Sequence, residues 1–119
     1  MIWIACENTS DEGWLRRLLR QRGLDAAVGA GGGCQVRIDR QGSVCCRGQV
    51  ITCGLDRRAT VTASSLLQRG GMAALQREMR TLDGRLLQPR ELSLEGLPGT
   101  MTQRITGAGL LLLLGEEPE

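Results

Sequence analysis

Hydrophobic and polar positions along this chain form short segments, and the spacing of the hydrophobic residues changes from strand-like to helical and back. Residues 2–6 form an apolar run with β-branched side chains, which predicts a buried strand. The apolar residues within 14–19 then recur at helical spacing, and arginines occupy the other faces of the same segment. Gly23 follows as a typical helix-terminating residue. The N-terminus is therefore predicted to be a strand–helix unit.

The middle of the chain has the composition of short strands joined by turns. Residues 39–42, Asp-Arg-Gln-Gly, predict a hairpin turn, and Gly54 is expected to end a strand. Strands are predicted over residues 24–28, 34–39, 44–46, 49–53 and 59–65.

The C-terminal third contains a hairpin signal followed by a helical one. Asp83-Gly84 predicts a hairpin that pairs residues 72–81 with 86–94, and Pro89 should then lie at an edge or a bulge. Residues 101–114 have the length of a helix. One face of that helix is expected to carry Ile105, Ala108, Leu111 and Leu112. The fold class predicted is α/β, with a small mixed sheet, an N-terminal strand–helix unit, an antiparallel hairpin region and a C-terminal helix, in a single domain over residues 1–119.

Composition narrows the chemistry that is possible. The chain contains no His, Tyr or Phe, and all 15 of its basic residues are arginine. Without Lys there is no P-loop lysine and no Schiff base, and without His there is no Ser-His or Cys-His pair. The chain is 41% hydrophobic and 24% charged, as globular domains are, so it should form an aliphatic core with Trp3 and Trp14 as its only aromatic residues.

Charge and hydropathy argue against nucleic acids and membranes as partners. The net charge is +2, and the arginines are interleaved with acidic residues, which favours a solvated surface over nucleic-acid binding. The apolar stretch 105–115 is shorter than the ~20 residues that span a bilayer, so it predicts a buried helix. The first apolar run is too short for a signal peptide, and we expect a cytoplasmic protein.

The five cysteines have no metal-binding spacing. There is no C-x-x-C pair, and the adjacent Cys45 and Cys46 would point to opposite faces of a strand. Reduced thiols without a metal site are therefore expected. Cys6, near the start of the first helix, is the one candidate for an activated thiolate, although a buried strand cysteine is favoured.

Two short segments could hold a small ligand. Asn8, Ser10 and Asp11 could present backbone N–H groups and one amide, together with Gly31 and Gly32 of a glycine-rich loop. That loop leads into a predicted strand without a Lys, unlike a phosphate-binding loop. Helix capping and loop flexibility explain the same residues without a ligand.

The order of several short motifs resembles one part of the Mur ligases, the ATP-dependent amide-forming enzymes of peptidoglycan synthesis. Residues 50–56, V-I-T-C-G-L-D, are similar to the family's V-I-T-[YF]-G-x-[DN], and 59–63, A-T-V-T-A, to its A-D-V-R-A strand. Residues 84–94 resemble the hairpin that follows, and Leu97-Pro98-Gly99 the L-P-G before a helix. Upstream, residues 2–23 resemble the family's apolar strand, N-x-D-D and helix.

The resemblance implies the later part of the ligase ATP-binding domain, with an insertion at about 25–49. The family's G-x-x-G-K-[TS] loop and amino-acid-binding domain have no counterpart. The polar residues of its G-R-H-N-x-x-N segment, which engage the nucleotide, are replaced here by Thr100, Met101, Thr102 and Ile105. We therefore expect no catalytic residues and no cofactor.

The function expected is that of a bacterial pseudoenzyme, a non-catalytic Mur-ligase-like remnant that serves as a protein-interaction or oligomerisation module. A link to cell-wall or sporulation machinery would follow from ancestry alone. A fragment of a larger sheet exposes apolar surface or an unpaired edge, so a protein partner or a homo-oligomer is expected. The alternative is a small-ligand or nucleotide-binding protein with a divergent site.

Overall fold

A computed structural model describes residues 2–29, 33–65 and 71–116 of the chain. The α/β fold is confirmed, and the described residues form three sheets, of which two are mixed, while the long hairpin is antiparallel. The helices are α1 (Glu12–Gln21) and α2 (Met101–Leu113), and Thr9–Asp11 form a 3-10 turn. The strands are β1 (Ile2–Cys6), β2 (Ala26–Val28), β3 (Val36–Ile38), β4 (Val44–Cys46), β5 (Gln49–Ile51), β6 (Cys53–Gly54), β7 (Val61–Ser65), β8 (Met72–Leu75), β9 (Met79–Arg80), β10 (Leu86–Leu87) and β11 (Arg90–Ser93).

The N-terminal strand–helix unit is confirmed. The apolar stripe of α1 is buried, and Asn8 begins the 3-10 turn because its side chain accepts a hydrogen bond from the Ser10 N–H. Gly23 has a φ of +64°, the left-handed conformation that ends helices. The next strand is shorter than predicted, since β2 begins only at Ala26.

The first sheet, sheet A, has the strand order β2-β1-β3-β4-β5. β1 is parallel to both β2 and β3, whereas β3, β4 and β5 run antiparallel in sequence order. The predicted turn between β3 and β4 is confirmed, with Asp39 Oδ1 accepting from the N–H groups of Gln41 and Ser43 at 3.0 and 2.8 Å. The segment at about 25–49 supplies β2, β3, β4 and the first residue of β5, so it is an integral part of this sheet.

The second sheet, sheet B, has the order β11-β8-β7-β6. The single strand predicted over 49–53 is wrong, because the chain changes sheets at Thr52. The Thr52 carbonyl accepts from the Val61 N–H at 2.9 Å, and its hydroxyl accepts from the Thr60 N–H at 2.8 Å. These bonds direct β6 to β7, while β5 stays paired with β4.

The long hairpin is confirmed, and it consists of two separately paired segments. β8 pairs with β11, and β9 pairs with β10 to form a separate two-stranded sheet. Asp83-Gly84 lies at the tip, where the Thr81 N–H donates to the Arg85 carbonyl at 2.8 Å. Pro89 lies between β10 and β11, where the pairing is interrupted, as expected for a residue without an N–H.

Helix α2 is buried over a much wider surface than the sequence predicts. The buried helix expected here is confirmed, and its burial extends beyond Ile105, Ala108, Leu111 and Leu112 to every residue from 105 to 113. The physical reason is that α2 contacts β4, β6, β7, β8 and α1, so elements surround it. Its small residues, Gly107, Ala108 and Gly109, allow these close contacts.

The outward side of sheet A is exposed, and Trp3 lies there and not in the core. Trp14 is buried, but Trp3 is 50% exposed, which contradicts its assignment to an aliphatic core. Strand alternation explains the difference, because Ile4 and Cys6 of β1 point inward and their neighbours point outward. We define the outer face as the outward side chains of sheet A. They include Trp3 and the cross-strand row Ala5, Arg37, Cys45 and Val50.

Candidate functional site

A cleft of about 810 Å³ opens between segments of the described structure. Four segments form its walls: the turn and helix start at 8–14, the β3–β4 turn at 38–43, the crossover and loop at 52–59, and the start of α2 at 100–106. These segments are far apart in sequence and meet because α2 passes between sheet A and sheet B.

Two of the predicted ligand residues line this cleft. Asn8 and Asp11 are part of its wall, and Asp11 Oδ1 accepts from Gln103 Nε2 at 3.0 Å. Ser10 is not part of the lining, and its hydroxyl donates instead to Asn8 Oδ1 at 2.8 Å. Gly31 and Gly32, the other two candidates, lie outside the described residues.

The start of α2 contributes hydroxyl groups to the cleft. Thr100 and Thr102 line it, with 3.2 Å between their Oγ1 atoms, whereas Met101 is not part of the lining and Ile105 is fully buried in the core. Thr100 also forms a capping box with Gln103. The positions where the Mur-ligase resemblance implies nucleotide contacts are thus partly turned inward and partly engaged in capping.

Ser43 is a cleft residue that the sequence did not single out. It is only 7% exposed, and it forms part of the cleft wall. The neighbouring hydroxyls are engaged, since Thr106 Oγ1 donates to the Gly42 carbonyl at 2.8 Å and Thr52 bonds Thr60. The sequence around Ser43 does not predict its place in the cleft wall, because the cleft forms only when α2 packs against the sheets.

Charged groups at the cleft rim are exposed and mixed in sign. Arg58 and Asp56 lie 3.9 Å apart at their closest side-chain atoms, both largely in solvent, and Arg40 is a further exposed residue of the lining. Exposed pairs of this kind contribute little binding energy. The cleft is therefore lined by hydroxyl and amide groups and by charged groups of both signs, and neither sign of charge dominates.

The buried thiols have raised pKa values. Burial, followed by the nearby carboxylates of Asp11 and Glu12, raises the pKa of Cys6 to about 11. Burial also raises the pKa of Cys53 to about 12. Both thiols are therefore protonated at neutral pH, and the interpretation of Cys6 as a buried strand cysteine is confirmed. All five cysteines are free.

A second depression, of about 290 Å³, is lined by residues of β3, β4 and β5 and of the segments next to them, several of them on the outer face. Cys45, Val50 and the arginines 37 and 47 line it, and Val50 is 56% exposed. Helices α1 and α2 contact sheet A through its buried side. The outer face thus carries no helix among the described residues, although parallel strands are normally covered on both faces.

No protein-family model, no curated protein and no solved structure matches this chain. Within residues 2–29, 33–65 and 71–116, no three His, Cys, Asp or Glu side chains come together as metal ligands. No helix in the described part of the chain is long and apolar enough to cross a membrane. The cleft and the outer face are therefore the two candidate binding surfaces in the described part of the chain.

Proposed function

We propose that this chain is a non-catalytic module of Mur-ligase-like ancestry that acts by binding a protein through its outer face. The observation that carries the proposal is the exposure of Trp3 and Val50 on the outward side of sheet A, which carries no helix among the described residues. Exposed apolar groups on such a face lose contact with water when a partner covers them, and this gain drives association.

The order of elements supports the proposed ancestry. After Gly54 the chain continues through β7, the long hairpin and α2, which is the order that the resemblance implies. The segment at about 25–49 would be the addition that completes sheet A in a shorter chain. Five free thiols fit a reducing compartment, and we place the protein in the cytoplasm.

We propose that the chain is not catalytic because it lacks the side chains that most often act as acid, base or nucleophile. It has neither Lys nor His. Its two most strongly shifted thiols, Cys6 and Cys53, hold their protons at neutral pH and are buried. General acid–base catalysis needs a group that titrates near the working pH, and nucleophilic catalysis needs an activated nucleophile.

Photo-crosslinking in the cells that produce the protein tests the proposal. Val50 is replaced by p-benzoylphenylalanine, and Arg17 on the solvent side of α1 is replaced as the matched control. We expect a crosslinked protein, identified by mass spectrometry, from the Val50 position and not from the Arg17 position. Equal crosslinking at both positions, or none at Val50, would contradict an interaction through the outer face.

A second candidate function is small-ligand binding in the cleft. The specific observation is that Ser43 lies in the wall of the cleft together with the hydroxyl-bearing residues Thr52, Thr102 and Thr106. Thermal melting with ATP, UDP or UDP-sugars tests this candidate, because a ligand at a hundred times its dissociation constant stabilises the folded state by about 2.7 kcal/mol. A shift that Ser43→Ala abolishes would support the cleft site, and no shift at millimolar ligand would reject it for these ligands.

A further inference from the structure

We infer that the cleft between the β3–β4 turn and the start of α2 binds an uncharged saccharide. This inference rests on the second candidate function, since it names the class of ligand for the same cleft. A sugar ring carries C–H groups on its faces and hydroxyl groups along its edge. A site for it therefore combines an apolar floor with a polar rim, and the cleft has both.

The buried residues of the lining form the floor of the cleft, and most of them are apolar: Trp14, Ile38, Cys53 and Ala59, each at most 8% exposed. The cleft volume of about 810 Å³ lies within the range of about 300–1,000 Å³ that is usual for small-molecule sites. Such sites combine a mainly apolar surface with a small number of polar groups. The C–H face of a sugar ring loses contact with water on this floor, which favours binding.

The exposed residues of the lining form the rim, and many of them end in planar polar groups: the amides of Asn8 and Gln41, the carboxylate of Asp56 and the guanidinium groups of Arg40 and Arg58. Carboxylates accept hydrogen bonds, guanidinium groups donate them, and amides do both. A sugar hydroxyl donates one hydrogen bond and accepts others, so it can bond to all three kinds of group. The rim therefore matches the hydroxyl edge of the ring.

Two of the rim groups are held in place by hydrogen bonds within the protein. Asn8 Oδ1 accepts from the N–H and the hydroxyl of Ser10 at 3.3 and 2.8 Å, so the amino group of the same amide is the part that a ligand can use. Asp56 Oδ1 accepts from the Arg58 N–H at 2.8 Å. Groups that are already positioned lose less conformational entropy when a ligand binds.

The charge of the lining distinguishes a saccharide from an ionic ligand. Its charged residues are two aspartates, Asp11 and Asp56, and two arginines, Arg40 and Arg58, so their formal charges cancel. A nucleoside triphosphate carries several negative charges, and a lining without net charge does not compensate for the loss of their hydration. A neutral ligand has no ionic hydration to lose, and its hydroxyl groups can bond to charges of either sign.

The exposure of the rim determines the strength expected. A hydrogen bond at an exposed position replaces one to water, so its net contribution is small. We therefore expect dissociation constants in the millimolar range, and the loss of one rim group should weaken binding about three- to tenfold.

Saturation-transfer-difference NMR of the full chain with maltose, cellobiose and lactose at millimolar concentration tests the inference. We expect magnetisation transfer from the protein to at least one of these disaccharides. ATP, an anion, and glycylglycine, a zwitterion, should receive none. Permethylated cellobiose, which keeps the rings but donates no hydrogen bonds, should also give no signal.

Two exposed residues of the β3–β4 turn supply variants that should keep the fold. Arg40→Ala and Gln41→Ala should each raise the dissociation constant of the bound disaccharide about three- to tenfold. Arg17→Ala on α1, which is exposed but outside the cleft lining, is the matched control and should bind like the parent. Circular dichroism confirms that each variant is folded.

Transfer to none of the disaccharides overturns the inference, as does binding that both rim variants leave unchanged. Comparable transfer to ATP, glycylglycine or the permethylated sugar overturns it as well. If the disaccharides do not bind but a nucleotide raises the melting temperature and Ser43→Ala abolishes that shift, the inference fails and the second candidate function stands. If neither class binds, both fail, while crosslinking from Val50 still tests the outer face independently.

Discussion

Gln103 on α2 donates its side-chain amide to Oδ1 of Asp11 at 3.0 Å, which joins residues that are 92 positions apart. The Oε1 atom of the same amide accepts from the Thr100 N–H at 2.9 Å and completes the capping box of α2. One side chain thus begins the C-terminal helix and holds it against the N-terminal turn. Both ends of this contact lie in the wall of the cleft.

Replacing Gln103 should therefore destabilise the fold more than replacing Asp11. Gln103→Ala removes part of the helix cap and the bond to Asp11, so we expect a loss of about 1–2 kcal/mol in the free energy of unfolding. Asp11→Ala removes one hydrogen bond and should cost about 0.5–1.5 kcal/mol. Urea denaturation measures both, with Arg17→Ala as the exposed control. Gln103→Ala behaving like that control would contradict the role in capping.

The buried indole of Trp14 has a polar as well as an apolar role. Its Nε1 atom donates to the Pro98 carbonyl at 2.9 Å, and its side chain is only 8% exposed. Trp14→Phe keeps an aromatic ring but leaves that carbonyl without its donor, so we expect a loss of about 1–3 kcal/mol. Trp3→Phe is the matched control and should change the free energy of unfolding of the monomer far less. Chemical denaturation followed by circular dichroism compares the two, and equal losses would contradict the importance of the hydrogen bond.

The parts of the fold that were predicted correctly are those with local signals. The α1 stripe, the Asp83-Gly84 turn and the length of α2 each follow from a few neighbouring residues. The strand over 49–53 was predicted wrongly, because the change of sheet at Thr52 depends on hydrogen bonds to residues eight and nine positions later. The apolar stretch 105–115 predicts that α2 is buried, but no helical period shows how many elements surround a helix.

The candidate site was predicted only in part, for a related reason. Capping residues at a strand–helix junction are recognisable in a sequence, and Asn8 and Asp11 do line the cleft, while their role as ligand-binding residues stays a prediction. Ser43 was not found, since its burial in the cleft depends on the packing of α2. The sequence predicts exposed apolar surface but not its position, because alternation along β1 shows that Trp3 and Ile4 point to opposite sides but not which side the helices cover.

Two glycines in helices should respond to alanine in opposite directions. At Gly109 a Cβ would lie 2.8 Å from the Cys53 Sγ atom, whereas at Gly13 it would meet nothing within 4 Å. Gly13→Ala should stabilise the protein by about 0.4–1 kcal/mol, because alanine has the higher helix propensity. Gly109→Ala should destabilise it by about 1–3 kcal/mol, since the buried site is overpacked.

Thermal and urea denaturation show whether each glycine variant raises or lowers the free energy of unfolding. Cys53→Ala removes the sulfur that the new methyl group would strike, so Gly109→Ala should cost less in that background than in the parent. An equal cost in both backgrounds would show that the steric conflict lies elsewhere.

The stability of this chain at alkaline pH should report on its cysteines. There is no Lys, Tyr or His, so thiols are the side chains that titrate between pH 9 and 12. In the folded state, burial raises the pKa of Cys6 to about 11 and that of Cys53 to about 12, from an ordinary value of 9.0. The folded state therefore holds more protons than the unfolded state above pH 9, and the free energy of unfolding must fall as pH rises.

The stabilisation from these thiols is fully present below pH 9 and is lost as pH passes through the raised pKa values. Each thiol contributes a slope of at most about 1.4 kcal/mol per pH unit, since one proton is released on unfolding. Urea denaturation at a series of pH values from neutral to about 11 measures the slope, and Cys53→Ala should reduce it even though the variant is less stable at neutral pH. Cys6→Ala should reduce it further, and Cys46, whose pKa burial also raises, accounts for part of what remains. A slope that these variants leave unchanged would mean that neither thiol is kept protonated by the fold.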